Sequence, residues 1–536
     1  LFLVWAQPSE AQTTRAWIFV DCPRGEAVTL SDAARARRAL RGRTPEDYTV
    51  APTCRAALEA AGARLRVESA WLKALSADLD EAALARVQKL PFVRGLRPVA
   101  RLAPQRTSGV VFAPVMVGPA LIDYGPSQAQ LAAINAILPL ERGINGMGVK
   151  VGFLDTEYGD FQHPVFARMR SEGRLGGYRN FAQGPQSSQH GLNTSSVAVG
   201  YAEGNLVGPG WGATLFAATT EYAPTETNVE EDNFVRGLEW LESQGVDVVN
   251  VSLGYTTFDS GQRSYTYADL NGDTGVTTRA ADAAAARGVV MVVSAGNEGG
   301  CSGYSASDGG RTCWYHIGTP ADGDLVIAVG ATTLAGQKAL FSSFGPTADG
   351  RTKPDVSAPG QGIAAATGTS GYTVNPQTNS GTISGTSFSA PLVTGVVAQI
   401  LQANPNLAPM EVRSLLRSTA SQASNPDDRL GWGIVNADAA IREAARLVST
   451  ESDALAGAVQ VRGNGSARPV LDVTLPAGPV RAEAFDLLGR RAALLHDGLS
   501  AGTLTLAFPD DLAAGAYLVR LTTNRATWTG TVVTTR

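Results

Sequence analysis

The stretch ISGTSFSAPLVTGVVAQIL, residues 383–401, crowds Ser384, Ser387 and Ser389 into a Gly-rich turn ahead of a proline and a small, apolar run. A serine hydroxyl is a weak nucleophile until a neighbouring base takes its proton. The chain offers only four histidines as that base, at positions 163, 190, 316 and 496. His190 is the candidate. It opens the helix-like stretch HGLNTSSVAVG and lies between Asp155 and Ser387 in chain order. An imidazole titrates near neutrality, so it can accept the serine proton and return it to a leaving amine. Asp155, directly after the apolar run VKVGFL, would fix the ring's tautomer and steady the imidazolium. Asn297, after VVMVVSAG, would donate an N–H to an oxyanion, and the helix following Ser387 would bring its positive end nearby. The set reads as acyl-transfer chemistry: Ser387 as nucleophile, His190 as base, Asp155 as orienter, Asn297 as oxyanion donor. Ser384 and Ser389 read as turn and cap residues. The other three histidines read as packing or surface residues.

Such a set must converge in space, and the middle of the chain has the elements to do it. Residues 124–448 alternate short apolar strands with helices, the pattern of a parallel sheet covered on both faces. Strands are predicted at 149–154, 246–251, 289–293 and 325–329, and helices at 233–244, 278–287 and 391–401, the last with Pro391 in its first turn. In a doubly wound α/β sheet, ligands sit beyond the carboxyl ends of the strands. Asp155 and Asn297 follow such ends.

Two further regions flank this one. Residues 13–105 read as strand, helix, strand, strand, helix, strand, with Asp80 as an N-cap, which is compatible with a small α+β, ferredoxin-like unit. Residues 106–123 carry Gly and Pro with little periodicity and read as a linker. Residues 449–464 read as a second linker. Residues 465–536 alternate with period two, Leu504, Leu506 and Phe508 on one face and then Tyr517, Val519 and Leu521, punctuated by Gly489, Gly498 and Gly515; this predicts an all-β sandwich.

Composition narrows the function classes. A chain of 536 residues with 44 Lys+Arg against 49 Asp+Glu has a net charge of -5, so no basic field points to nucleic acid. No apolar run reaches the roughly 18 residues of a membrane span. Residues 1–12, beginning LFLVWAQ, read as the remnant of a secretory signal: an apolar run and then small Ala6. Four cysteines, at 22, 54, 301 and 313, form an even count that in an exported chain suggests two disulfides. Asp269, Asn271 and Asp273 in DLNGDTG have the spacing that begins a calcium loop, but the loop's late Glu is missing and a solvated acidic turn is the better reading. No cofactor is required by the chemistry above, and no metal ligand set is assigned.

The motifs VGFLDTE around Asp155, HG at His190, VSLG at 251–254, SAGNEG around Asn297 and GTSFSAP around Ser387 together resemble the subtilisin-like serine peptidases, the subtilases. Subtilisin has the same chain order Asp, His, Ser. The resemblance implies a subtilisin-like doubly wound fold and a secreted endopeptidase acting on protein or peptide substrates. It places Ser252, Leu253 and Gly254 at the strand edge that pairs with substrate backbone. Through SAWLKALSA and LPFVRGLRPV it implies that residues 13–105 are an inhibitory propeptide, the enzyme's intramolecular partner. Residues 465–536, with AFDLLGRR and LAAGAYLVRL, resemble a type A sorting domain of the type IX secretion system, which implies export through the periplasm to the cell surface or medium and secretion machinery as a partner. Glu157 and Leu192 depart from the family's usual Gly and Thr, and they motivate the alternative of a non-catalytic binding protein on a subtilase scaffold.

Overall fold

The computed structural model describes residues 14–40, 46–99, 122–182, 188–222, 227–259, 262–300, 315–373, 382–466, 468–486, 491–509, 511–523 and 527–535. Residues 1–12, expected to be a signal remnant, and nearly all of the predicted linker at 106–123 lie outside them. The chain forms two compact units. One comprises Leu1–Gln402 and Leu407–Ala440, the other Ala403–Asn406 and Ile441–Arg536.

In the first unit the N-terminal segment supplies β1 (Thr14–Val20), β2 (Arg24–Ala27), α1 (Asp32–Leu40), β3 (Tyr48–Val50), α2 (Pro52–Ala60), β4 (Arg64–Ser69), β5 (Ala74–Leu79), α3 (Glu81–Val87) and β6 (Val93–Val99). Four strands pair antiparallel in the order β4-β5-β1-β6, while β2 and β3 pair separately. Asp80 caps α3, its carboxylate accepting the Ala83 N–H at 2.6 Å. Alternation along β1 sends Ala16, Ile18 and Val20 into a core under α2 and α3. Trp17, on the opposite face, enters a second core with Phe234, Val235, Leu238 and Leu241.

That second core belongs to a seven-stranded sheet built from β7 (Lys150–Asp155), β8 (Leu175–Asn180), β9 (Thr214–Thr219), β10 (Val248–Val251), β11 (Val290–Ser294), β12 (Ile327–Thr332) and β13 (Val356–Pro359), with helices α4 (His190–Val199), α5 (Val229–Ser243), α6 (Val276–Ala286) and α7 (Thr386–Ala403). Its order is β13-β12-β11-β10-β7-β9-β8, and every pairing is parallel. Strands buried on both faces read as continuous apolar runs, which is why VVMVV and VDVVNV were legible as strands. Parity then assigns faces. Leu154, Val249 and Val251 join the core with α5 and α6. Asp155 and Asn250 therefore face the other side, toward α4 and α7.

The helix predicted from Pro391 begins earlier, at Thr386, and carries Pro391 inside. A proline there cannot donate to the carbonyl four residues back. That carbonyl belongs to Ser387, and it accepts instead from the Ser252 hydroxyl at 2.9 Å.

The predicted linker at 449–464 is also corrected. Helix α8 (Ala437–Gly457) runs through its first half, and strand β14 (Val459–Arg462) occupies most of the rest. The Ser and Thr residues near 449–452 do not end the helix, because each lowers helix propensity by well under ~1 kcal/mol in an otherwise Ala- and Leu-rich run. In the second unit β14 joins β15 (Val470–Phe485), β16 (Arg491–Ala507), β17 (Gly515–Thr523) and β18 (Thr527–Thr534) in antiparallel pairings. Along β15 the buried apolar residues are Leu471, Val473 and Leu475, then Val480, Ala482 and Ala484. The parity switches where the register shifts between Leu475 and Gly478, at a segment carrying Pro476 and Pro479, neither able to donate to a ladder.

Candidate active site

Asp155 ends β7 and is fully buried. One carboxylate oxygen lies 2.6 Å from His190 Nδ1 and accepts the Thr156 N–H at 2.7 Å. The other accepts the Thr194 hydroxyl at 2.8 Å. His190 and Thr194 are four residues apart on α4, hence on one face of the helix, so a single element holds both ring and carboxylate. The ring is 28% exposed while Asp155 is sealed, which leaves an imidazole edge for incoming groups. Burial alone would lower the His190 pKa, but the charge and hydrogen bond of Asp155 outweigh it and leave the pKa raised above 6.5.

Gly191 explains the His-Gly pair. A Cβ there would come within 2.9 Å of the Glu157 carbonyl and 3.0 Å of the Thr156 carbonyl. This close approach lets the Gly191 N–H reach Thr156 Oγ1 at 3.2 Å and the Leu192 N–H reach the Glu157 carbonyl at 3.1 Å. The two departures are thus absorbed: Glu157 serves through its backbone, and Leu192 is buried in the core.

Ser387 sits in the first turn of α7 and is 8% exposed. Its hydroxyl donates to the Ser252 carbonyl at 3.3 Å, and among the described residues that carbonyl, not the His190 ring, is its partner. The Phe388 ring lies 5.7 Å from the His190 ring, centroid to centroid, so the serine turn and the histidine share one rim of the sheet. Catalytic hydrogen bonds are commonly loose before substrate binds. Ser252 is held in turn by Asn250 Nδ2 at 2.9 Å, and Thr394 on α7 donates to Asn250 Oδ1 at 2.9 Å.

Asn297 lies past the end of β11 and is exposed. Its side-chain oxygen accepts both the Thr386 N–H, at 2.8 Å, and the Thr386 hydroxyl, at 3.0 Å. With the oxygen engaged, the amide N–H groups are left to point away, and the Ser387 N–H beside them has no helical acceptor because it lies in the first turn. N–H groups of this kind are the donors that a developing oxyanion would need. Of the strand-edge trio, Ser252 is buried and turned into the site, whereas Leu253 is half-buried and Gly254 exposed.

Sequence reasoning missed Thr194, Asn250, Thr386 and the side-chain role of Ser252. Only Thr194 carried a signal, its spacing of four from His190. His163 is a packing residue: its Nδ1 caps the Val165 N–H at 3.1 Å and its other nitrogen lies 2.8 Å from the Gly371 carbonyl. Of the four cysteines, Cys22 and Cys54 form a disulfide, and Cys301 and Cys313 lie outside the described residues.

The acidic turn does not fit a cation. Asp269 Oδ2 accepts the Thr266 N–H and hydroxyl at 2.8 and 2.7 Å, and Asn271 Oδ1 accepts the N–H groups of Asp273 and Thr274, both at 3.0 Å. Among the described residues no group of three or more His, Cys, Asp or Glu side chains could hold a metal ion. No helix among them is long and apolar enough to cross a membrane.

A family model described as the subtilase family, peptidase S8, matches residues 146–433 and so spans every one of these site residues. The chain belongs to the subtilase family. It is a subtilisin-like serine-type endopeptidase. This subtilase is 27% identical over 380 residues to subtilisin NAT of Bacillus subtilis subsp. natto, covering 71% of this chain and 83% of that protein. It is 28% identical over 326 residues to the M-protease of Shouchella clausii (strain KSM-K16), covering 60% and 70%. In fold it is similar to fervidolysin from Fervidobacterium pennivorans, a keratinolytic enzyme related to subtilisin, with a TM-score of 0.54 at 22% identity over 96% of this chain and 71% of that one.

Proposed function

We propose that this subtilase hydrolyses peptide bonds through an acyl-enzyme formed on Ser387. The observation that carries the reading is the 2.6 Å contact between Asp155 and His190 Nδ1, on the same rim as the Ser387 turn and the anchored Asn297. Bound substrate draws the Ser387 hydroxyl from the Ser252 carbonyl toward His190. The oxygen attacks the scissile carbonyl carbon, its proton passes to His190, and Asp155 steadies the imidazolium. Asn297 and the Ser387 N–H hold the oxyanion. His190 then returns the proton to the leaving amine, and water, deprotonated in the same way, releases the acyl group. Leu253 and Gly254 offer a strand edge to substrate backbone.

The reading extends to the rest of the chain. Residues 13–105 act as an inhibitory propeptide, supported by the strand and helix succession of β1, α2, β4, β5, α3 and β6 and by the packing of Trp17 against α5. The processing site lies near residues 101–123. Residues 465–536 form a sandwich-like sorting domain, and the protein is secreted, with secretion machinery as that domain's partner. Structural calcium has no support beyond the family. Ser387→Ala is expected to lower peptide-substrate turnover by about 10⁶-fold, the scale known from subtilisin, with an unchanged melting transition. Wild-type rates in that variant would overturn the assignment, as would failure of processed, folded wild type to label with a fluorophosphonate.

A further inference from the structure

The segment between β1 and α2 is not needed to complete the four-stranded sheet, yet it carries the most deeply buried charges of the N-terminal region. Cys22 and Cys54 tie its base together. Within it, α1 lies against the turn that joins α5 to β10. The Ser31 N–H donates to the Ser243 carbonyl at 3.0 Å, and a Cβ on Gly245 would come within 2.5 Å of Ala33.

Two arginines of α1 then enter the peptidase. Arg37 Nη1 donates to the Val246 carbonyl at 2.7 Å, and its Nη2 pairs with Glu242. Arg38 bonds both Glu242 oxygens, Nε at 3.0 Å and Nη2 at 2.7 Å. The side chains of Arg37, Arg38 and Glu242 are no more than 3% exposed. Asp47, in the same segment, accepts from Arg38 at 2.8 Å and from Arg287, just past α6, at 2.9 and 2.6 Å. Charges buried this way are costly to leave alone, so each side of the contact depends on the other.

We propose that this segment is a clasp: α1 and Asp47 grip the ends of α5 and α6, and the clasp keeps the N-terminal region bound to the peptidase after the connecting chain is cut. The partner surface is the Glu242, Val246 and Arg287 corner, and its occupant is this chain's own α1. The inference rests on the propeptide reading only in supposing that a cut occurs. It adds a second anchor, separate from the contact made by the sheet through Trp17.

The test uses the full chain with Ser387→Ala to prevent self-cleavage and a recognition sequence for a site-specific protease placed within residues 106–120. After cutting, retention of the N-terminal fragment is followed by native size exclusion. The parent is expected to hold the fragment. Arg37→Ala/Arg38→Ala is expected to release it about 100-fold faster or more, the scale of stranding a buried carboxylate. Arg94→Ala, which breaks an exposed pair with Asp21 in the same region, is expected to behave as the parent. A cooperative melt of the uncut variant shows that it is folded; should the double variant fail that check, Glu242→Gln is read in the same way. Retention at the parent's rate in both overturns the clasp, as does equally fast release from Arg94→Ala. Repeating the cut with Ser387 intact separates the two readings: a retained fragment with full peptidase activity would defeat the inhibitor reading and leave the clasp standing.

Discussion

Two acidic sites on opposite faces of the same sheet treat a buried carboxylate differently. Asp155, on the α4 face, is matched on every side: His190, the Thr194 hydroxyl and the Thr156 N–H meet its two oxygens. Glu239, on α5 beneath the N-terminal sheet, meets only neutral donors at close range, the Ser69 hydroxyl at 2.5 Å and the Trp71 N–H at 3.4 Å. Burial raises its pKa to about 7, and those two hydrogen bonds do not bring it back. The first site holds its carboxylate in place against the His190 ring. The second takes up a proton near neutrality, so the N-terminal contact should add its own pH dependence to that of His190 between pH 5 and 8.

Breaking the first site should have the larger effect. Asp155→Asn is expected to lower kcat by about 10⁴-fold, the scale of the equivalent change in a serine protease triad. Because Asp155 is what raises His190 against the pull of burial, the residual activity should also lose its acid limb at a lower pH than wild type. A pH profile of kcat/KM checks this; an unshifted limb would mean that Asp155 does not set the histidine's affinity for protons.

Ser252→Ala probes the next layer. It removes the donor that serves the Ser387 carbonyl orphaned by Pro391 and also frees Asn250 Nδ2. A cost of about 1–3 kcal/mol in stability is expected, with kcat reduced and KM little changed. A stability loss with kcat intact would make Ser252 purely structural.

The smallest effect concerns the second site. A carboxyl whose pKa is raised on folding binds its proton more tightly in the native state. Stability is therefore highest below the ordinary value of 4.5, declines as pH rises toward about 7, and levels off above. Glu239→Gln should flatten part of the fall in melting temperature between pH 5 and 8. An unchanged slope would show that Glu239 stays charged, and the contrast with Asp155 would vanish.

Asp155 and Asn297 stood out as candidates because each follows an apolar run that reads as a strand: VKVGFL before Asp155, VVMVVSAG before Asn297. Sequence reasoning erred at Pro391, where a rule about first turns was applied to a proline inside a helix. It erred at 449–464, read as a linker, where the Ala-rich helix α8 continues to Gly457. Nothing in the sequence hinted that Arg37 and Arg38 of α1 would be buried, since an Ala- and Arg-rich helix normally reads as solvated.

By itself the sequence determined the alternation of strands and helices, the parity that turns Asp155 away from α5, and the glycine that lets α4 approach β7. These are local properties, set by side-chain periodicity and by backbone that tolerates no Cβ. Tertiary structure alone decided that the Ser252 hydroxyl replaces the hydrogen bond denied by Pro391, that Cys22 joins Cys54, and that Glu242 receives two arginines more than 200 residues earlier in the chain. Such contacts depend on how whole elements pack, and no spacing within one element encodes them.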